Sequence, residues 1–119
     1  INYINAHGSG TPINDKVETK AIKSIFGDHA YKLSVSSSKS MTGHMMGATG
    51  ATEAAIAALV CKEQLIPPTI NLQNADPDCD LDYVPNIAKS KDVNYAMSTS
   101  VGLGGHNAAI IFKRWENDD

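Results

Sequence analysis

Ala54-Ala55-Ile56-Ala57-Ala58-Leu59-Val60-Cys61 is a run of eight apolar residues with no charge among them. No other stretch constrains the fold as strongly. It lies inside a helix predicted from about Gly47 to Glu63, and it is apolar on nearly every side of that helix. A helix of this kind is buried all round rather than laid on a surface. It is far shorter than the roughly 18 residues a membrane span needs, so the expectation is a helix sandwiched between layers. Gly47, Ala48, Gly50 and Ala51 allow neighbouring backbones to come close. A chain of 119 residues has little material left to cover every side of such a helix. A partner surface is therefore expected outside it.

Around this helix the chain reads as alternating elements. Asn2 to His7 alternates and is predicted as a strand. Gly8-Ser9-Gly10-Thr11-Pro12 is a loop. A helix follows, capped by Asn14 or Asp15, with Glu18 placed for a capping box. Val17, Ala21, Ile22, Ile25 and Phe26 form its apolar face, and Gly27 stops it at the C′ position. Leu33 to Ser37 is a second strand. It leads through Ser38-Lys39-Ser40-Met41-Thr42-Gly43-His44 into the apolar helix, which ends before Pro67-Pro68. Residues 69–80 read as loop, Leu81 to Val84 as a short strand, and 86–93 as a turn. Tyr95 to Val101 and Ala108 to Lys113 are strands joined by Gly102-Leu103-Gly104-Gly105-His106-Asn107, an antiparallel hairpin. Arg114 to Asp119 is a charged tail. The order β-α-β-α followed by a strand pair predicts an α/β layered sheet.

Charge excludes several classes of function. The net charge is −3 and scattered, with no basic block to suggest nucleic acid or an anionic membrane. No apolar run is long enough to span a bilayer. The chain opens at Ile1 without a methionine, so the lack of a visible targeting segment carries no weight. Cys61 and Cys79 form no disulfide framework. Cys61 reads as a small core residue, Cys79 has no assigned role, and two unpatterned cysteines fit a reducing compartment.

Three polar groupings are candidates for chemistry. His7 ends a strand beside a permissive loop, where it faces a crevice or serves as a hydrogen-bonded turn residue. Lys39 and His44 flank a helix entrance. There a lysine charge disfavours imidazole protonation and keeps a neutral donor or acceptor; the alternative is a surface lysine and a capping histidine. The glycine turn 102–107 leads into a strand, whereas a dinucleotide fingerprint opens a helix. Its glycines instead permit close backbone approach. His106 is the weakest candidate of the histidines, and His29 sits in a polar turn facing solvent. His7, His44 and His106 have no metal-ligand spacing and no acidic or cysteine ligand at motif distance, so no metal site is expected.

Asn5-Ala6-His7-Gly8-Ser9-Gly10-Thr11-Pro12, Ser37-Ser38-Lys39-Ser40-Met41-Thr42-Gly43-His44, Pro67-Pro68-Thr69-Ile70-Asn71, Asp80 to Pro85 and Gly102 to Asn107 occur in one order along nearly the whole chain. In that order they resemble the C-terminal part of a β-ketoacyl-acyl carrier protein synthase. The match is to the elongating Cys-His-His type, as in fatty-acid synthase II or the ketosynthases of polyketide synthases. The resemblance implies the C-terminal portion of a thiolase-like fold, a mixed sheet with a buried central helix. It also implies that residues 1–119 are one part of a ketosynthase domain whose N-terminal part, holding the nucleophilic cysteine, lies elsewhere. Neither Cys61 nor Cys79 matches that cysteine.

The implied reaction is a decarboxylative Claisen condensation of malonyl-carrier protein with an acyl thioester in fatty-acid biosynthesis. By position, His7 and His44 are the catalytic histidines and Lys39 the family lysine. Ser9 and Thr11 contact the phosphopantetheine arm, Leu103 and Gly104 belong to the acyl-gate loop, and Glu53 is structural. No resident cofactor is implied, because phosphopantetheine arrives on the acyl carrier protein. Malonyl and acyl thioesters are the implied substrates, a homodimer the implied assembly, and the cytoplasm or an organelle the implied compartment. Leu103 stands where bacterial elongating enzymes often have phenylalanine, and His106 where a small hydroxyl residue is usual. A non-catalytic fragment that assembles with a partner chain, and a polyketide ketosynthase, are the competing readings. A thiolase fits less well because of the spacing from Lys39 to His44.

Overall fold

A computed structural model describes residues 1–115. Of the charged tail, residues 116–119 lie outside the described residues. The elements are β1 (Tyr3–Asn5), α1 (Asn14–Phe26), β2 (Ser34–Ser36), α2 (Lys39–Thr42), α3 (Thr49–Glu63), β3 (Leu65–Ile66), β4 (Lys89–Ser90), β5 (Tyr95–Val101) and β6 (Asn107–Lys113). The main sheet runs β2-β1-β5-β6. β1 is parallel to both β2 and β5, and β5 and β6 form the antiparallel hairpin. This is the α/β sheet that the element order predicted, with the mixed pairing that the family resemblance implied.

Alternation along β1 divides the interior. Tyr3 points to one face with Ala57, Val60, Cys61, Ile66, Val84, Val93 and Ala96. Ile4 and Ala6 point to the other with Ile22, Ala30, Leu33, Val35 and Leu81. One core therefore lies under α3 and the other under α1, with the sheet between them. The period of two also carries His7 to the α3 side, in line with Tyr3 and Asn5.

Several local expectations change. On α1 the buried positions are Thr19 and Ile22, while Val17 is 57% and Ile25 78% exposed. The helix meets the sheet along a narrower stripe than its apolar residues suggested. No side chain caps α1 in the expected way. The Asn14 N–H donates to Thr11 Oγ1 at 3.2 Å, and Glu18 is occupied elsewhere. Leu81 to Val84 forms no strand. It is tied by isolated bridges, Ser34 to Asp82 and Thr69 to Pro85, because Asp82 turns its side chain back to Ser34, Val84 N–H and Lys89. The 86–93 turn contains β4, which pairs with β3. Gly27 does close α1, at φ 53°, with its N–H donating to the Lys23 carbonyl.

α3 starts at Thr49, after a tight turn over Met46–Ala48. It buries Thr49, Glu53, Ala57, Val60 and Cys61 against the sheet, whereas Leu59 is 53% exposed and Ala51 and Ala55 are exposed. The helix expected to be buried all round is thus covered on one side. Among the described residues the four-stranded sheet supplies only one of the two layers its composition calls for. β6 has the same character, with Ile110 and Ile111 about half exposed.

Candidate active site

The site begins where β1 ends. His7 is 8% exposed, and its backbone N–H donates to Glu18 Oε1 at 2.8 Å and to Thr99 Oγ1 at 3.2 Å. The Gly8 N–H donates to Glu18 Oε2 at 2.9 Å. Glu18 therefore reaches across from α1 and takes two N–H groups that the sheet ladder leaves unpaired at the strand end. Its spacing from Asn14 suggested a capping box, and no local pattern signals the longer reach. Gly8 makes the corner possible. It holds φ +42°, and a Cβ there would lie 2.5 Å from Ser37 Cβ, while Ser37 Oγ donates to the Gly8 carbonyl at 3.0 Å.

The second half of the site comes from the β2–α3 connection. β2 packs beside β1 through buried side-chain pairs, Tyr3 Oη with Ser36 Oγ at 2.9 Å and Asn5 Nδ2 donating to Ser38 Oγ at 3.3 Å. These fix the two corners side by side. The His7 and His44 rings then meet edge to face, with centroids 5.5 Å apart and planes at 81°. His44 is exposed. The Met46 N–H donates to its Nδ1 at 3.1 Å. An imidazole nitrogen that accepts from a backbone N–H carries no proton, so in the neutral ring the proton sits on Nε2. The sequence suggested a helix-capping role for His44; its ring accepts from the turn that precedes α3.

Lys39 is buried. Its Nζ lies 2.5 Å from Glu53 Oε1, with side-chain exposures of 4% and 1%. Burial pushes the Glu53 carboxyl above its ordinary range, and the Lys39 charge partly pulls it back. The ion pair joins α2 to α3. His7 is held below the usual imidazole pKa, first by burial and then by the Lys39 charge, with Glu18 opposing. The effect expected of Lys39 on His44 therefore appears at His7.

Ser9 and Thr11 line a cavity of about 930 Å³ between α1, the end of β2 and residues 69–85. Lys39 borders this cavity, whereas the rings of His7 and His44 lie outside it. Leu103 is 97% exposed at the tip of the hairpin turn, and Gly104 beside it has φ +77°. Cys61 is buried near the end of α3, with Sγ 3.6 Å from the Phe112 carbonyl. Twelve residues beyond Thr49, it is about 18 Å along the helix from the His44 end. Cys79 lies in the 69–80 loop and borders the cavity. His29 is exposed, with Nε2 2.8 Å from the Ile1 carbonyl. Among the described residues, no group of three or more His, Cys, Asp or Glu could hold a metal ion. None of the described helices is long and apolar enough to cross a membrane.

A mixed sheet with a small-residue helix on one face and two histidine corners at its parallel strand ends defines a class. Residues 1–73 match the beta-ketoacyl synthase C-terminal domain, and the chain belongs to that family. Over 116 residues it is 52% identical to 3-oxoacyl-[acyl-carrier-protein] synthase 2 of Synechocystis and 54% identical to the enzyme of that name from Staphylococcus aureus; each match covers 98% of this chain and 28% of the relative. Among solved structures, a type II polyketide synthase acyl-carrier protein in complex with its ketosynthase superposes with TM-score 0.93 at 43% identity, over 97% of this chain and 28% of that one. A β-ketoacyl synthase from Burkholderia phymatum gives 0.90 at 39%, over 98% and 28%. The chain thus spans about a quarter of the length of the proteins it matches, and its fold is the corresponding part of the thiolase-like ketosynthase fold.

Proposed function

We propose that this chain is the C-terminal portion of a 3-oxoacyl-acyl carrier protein synthase, and that His7 and His44 are its decarboxylation donors. In the reaction the bond between the malonyl carboxylate and the adjacent carbon breaks and carbon dioxide leaves. The electron pair passes to the thioester as an enolate, which attacks the acyl carbonyl and displaces the thiol that held it. The costly moment is the developing charge on the enolate oxygen. Neutral N–H donors fixed beforehand lower that cost. The observation that carries this reading is the juxtaposition of the two rings, with Nδ1 of His44 occupied so that Nε2–H is the donor. Low-pKa His7 adds a ring that stays neutral at physiological pH.

Lys39 acts on His7 through its charge and on the His44 corner through Glu53. Ser9 and Thr11 fit contacts to a phosphopantetheine arm, since they stand on the loop that directly follows His7. Leu103 and Gly104 fit an acyl gate because they sit on a projecting glycine turn. The arm arrives on the acyl carrier protein, so the reading calls for no resident cofactor. A homodimeric parent in the cytoplasm accords with it. Identity of 52–54% to 3-oxoacyl-[acyl-carrier-protein] synthase 2, against 43% to the type II polyketide ketosynthase, favours fatty-acid over polyketide elongation.

The test is malonyl-carrier protein decarboxylation by the intact enzyme. His7→Ala and His44→Ala should each slow it by about 10²–10³-fold, as loss of one oxyanion donor does elsewhere. A near-normal rate in either variant would remove the assigned role. The purified 119-residue chain should form no β-ketoacyl product, because neither of its cysteines matches the nucleophile. Product from that chain alone would overturn this part. The second reading, a piece that assembles with a separate partner, draws on the uncovered outer side of α3. It predicts that a chain carrying the remaining ketosynthase segments restores condensation when mixed with this one.

A further inference from the structure

Thr99 is not among the residues suggested by sequence resemblance, yet it touches the His7 corner. Parallel pairing of β1 with β5 ends at Asn5 opposite Ser98. Beyond that point the ladder has no further rung, and the His7 N–H, which donates to Glu18 Oε1 at 2.8 Å, shares its hydrogen with a second acceptor on the β5 side. On the β2 side the Ala6 N–H is taken by the Ser36 carbonyl at 2.9 Å. On the β5 side the next residue, Thr99, supplies a side chain in place of the missing main-chain rung. Its Oγ1 accepts the His7 N–H at 3.2 Å and donates to Glu18 Oε1 at 2.9 Å.

One hydroxyl thus closes a triangle among β1, β5 and α1 at the residue that bears the His7 ring. Thr99 is half-buried, so the bond is partly sheltered from competing water. It also lies four positions before Leu103, on the strand that enters the glycine turn. Two further contacts tie that strand in place: Thr99 pairs with Ala109 across the hairpin, and the turn is pinned by the Gly102 N–H donating to the His106 carbonyl at 2.6 Å.

We propose that Thr99 is a positioning residue, its hydroxyl fixing the His7 backbone and the Glu18 carboxylate together and so setting where the His7 ring stands relative to His44. The proposal rests on the reading of His7 as a decarboxylation donor only for its effect on rate. Its effect on the ring is separate. Four groups bear on the His7 charge: Lys39 on α2, His44 before α3, Glu18 on α1 and Asp15 on the same helix. Of these, Thr99 touches Glu18.

The experiment compares Thr99→Val, which keeps the shape and removes the hydroxyl, with Thr99→Ser, which keeps the hydroxyl. Both are made in the intact enzyme. The His7 imidazole is followed by NMR titration, assigned by its absence in a His7→Gln control, and malonyl-carrier protein decarboxylation is measured alongside. Expected for Thr99→Val is a displaced His7 titration midpoint and a decarboxylation kcat lowered about tenfold with KM little changed, since a displacement of a fraction of an ångström costs less than the 10²-fold of a full one. Thr99→Ser should restore both to within about twofold. An unmoved midpoint in Thr99→Val, or equal losses in Thr99→Ser, would overturn the proposal. A moved midpoint with unchanged decarboxylation would uphold Thr99 as positioning His7 and would instead remove the catalytic reading of His7. Thr99→Val that fails to fold while Thr99→Ser folds and titrates normally would also support the hydroxyl, as its loss alone separates the two.

Discussion

Removing the carboxylate at Glu53 is the most informative single perturbation of this fold. Glu53 and Lys39 are nearly sealed from solvent, with side-chain exposures of 1% and 4%, and their polar atoms are 2.5 Å apart. Glu53→Ala leaves an ammonium in a buried setting with its counter-charge gone. Breaking a pair of this kind costs about 3–5 kcal/mol, a large part of the roughly 5–15 kcal/mol that holds a domain together. Most of that figure is the penalty on the orphaned charge. Replacing both partners by apolar residues of similar volume, Lys39→Met with Glu53→Leu, should therefore cost far less than either single change, within about 1–2 kcal/mol of the parent.

The measurement is urea unfolding of the intact protein followed by far-UV circular dichroism, for both single variants and the double. Added salt should leave the coupling nearly unchanged, because buried pairs are poorly screened. A single variant that loses under about 1 kcal/mol, or a double variant that loses the sum of the singles, would refute the reasoning. Either result would mean that the Lys39 corner is held by the serine and asparagine contacts of β1 and β2 without help from the ion pair.

Three further outcomes follow from the same structure. Gly8→Ala should destabilise the protein by roughly 1–3 kcal/mol through overpacking against Ser37, with the left-handed backbone adding to it; thermal unfolding reads the loss, and Ser37→Gly should recover part of it. The folded state disfavours protonated His7, so the unfolded chain binds more protons as pH falls from the ordinary imidazole range toward the lower folded value. Stability should fall across that window, and comparison of urea midpoints with those of His7→Gln should show a shallower fall in the variant. Residues 72–80 carry no buried side chain and are held to α1 by Lys16 with Asp76 and Asp78, and by Lys23 with Asp80. Exposed pairs are weak and screened, so amide exchange in this segment should speed up at about 0.5 M salt while β1 and β5 stay protected.

Much of the fold could be read from the chain because its signals are local. The 3.6-residue pattern of α1, the glycine at 27, the alternation of Tyr95 to Val101 and the glycine turn after it each depend on near neighbours. What escaped was long-range. Glu18 sits where a capping box would place it, but its oxygens are taken by residues ten and eleven positions back and by Thr99, 81 positions on. Lys39 looks like a turn lysine until α3 brings Glu53 over it. Asp82 breaks a strand that Leu81, Tyr83 and Val84 would otherwise suggest, because its carboxylate has partners on β2 and β4. At α1, composition overstated burial: the helix has more apolar residues than the sheet has room to cover.

The candidate site shows the same division between local and distant signals. His7 and His44 can each be picked out by their corners, yet each alone is an ordinary turn histidine. They become a site when the β1–β2 pairing places both corners at the same end of the sheet and the period of two turns His7 toward α3. Burial holds the His7 ring below the usual imidazole pKa, and the Met46 N–H fixes which His44 nitrogen accepts, so the two rings meet edge to face without help from a ligand. Orientation fixed before substrate arrives is what an enolate-stabilising site requires, since no reorganisation is then needed as charge develops. The half-site is therefore built by this chain's own contacts, while the outer face of α3 is left for a layer that the chain does not contain.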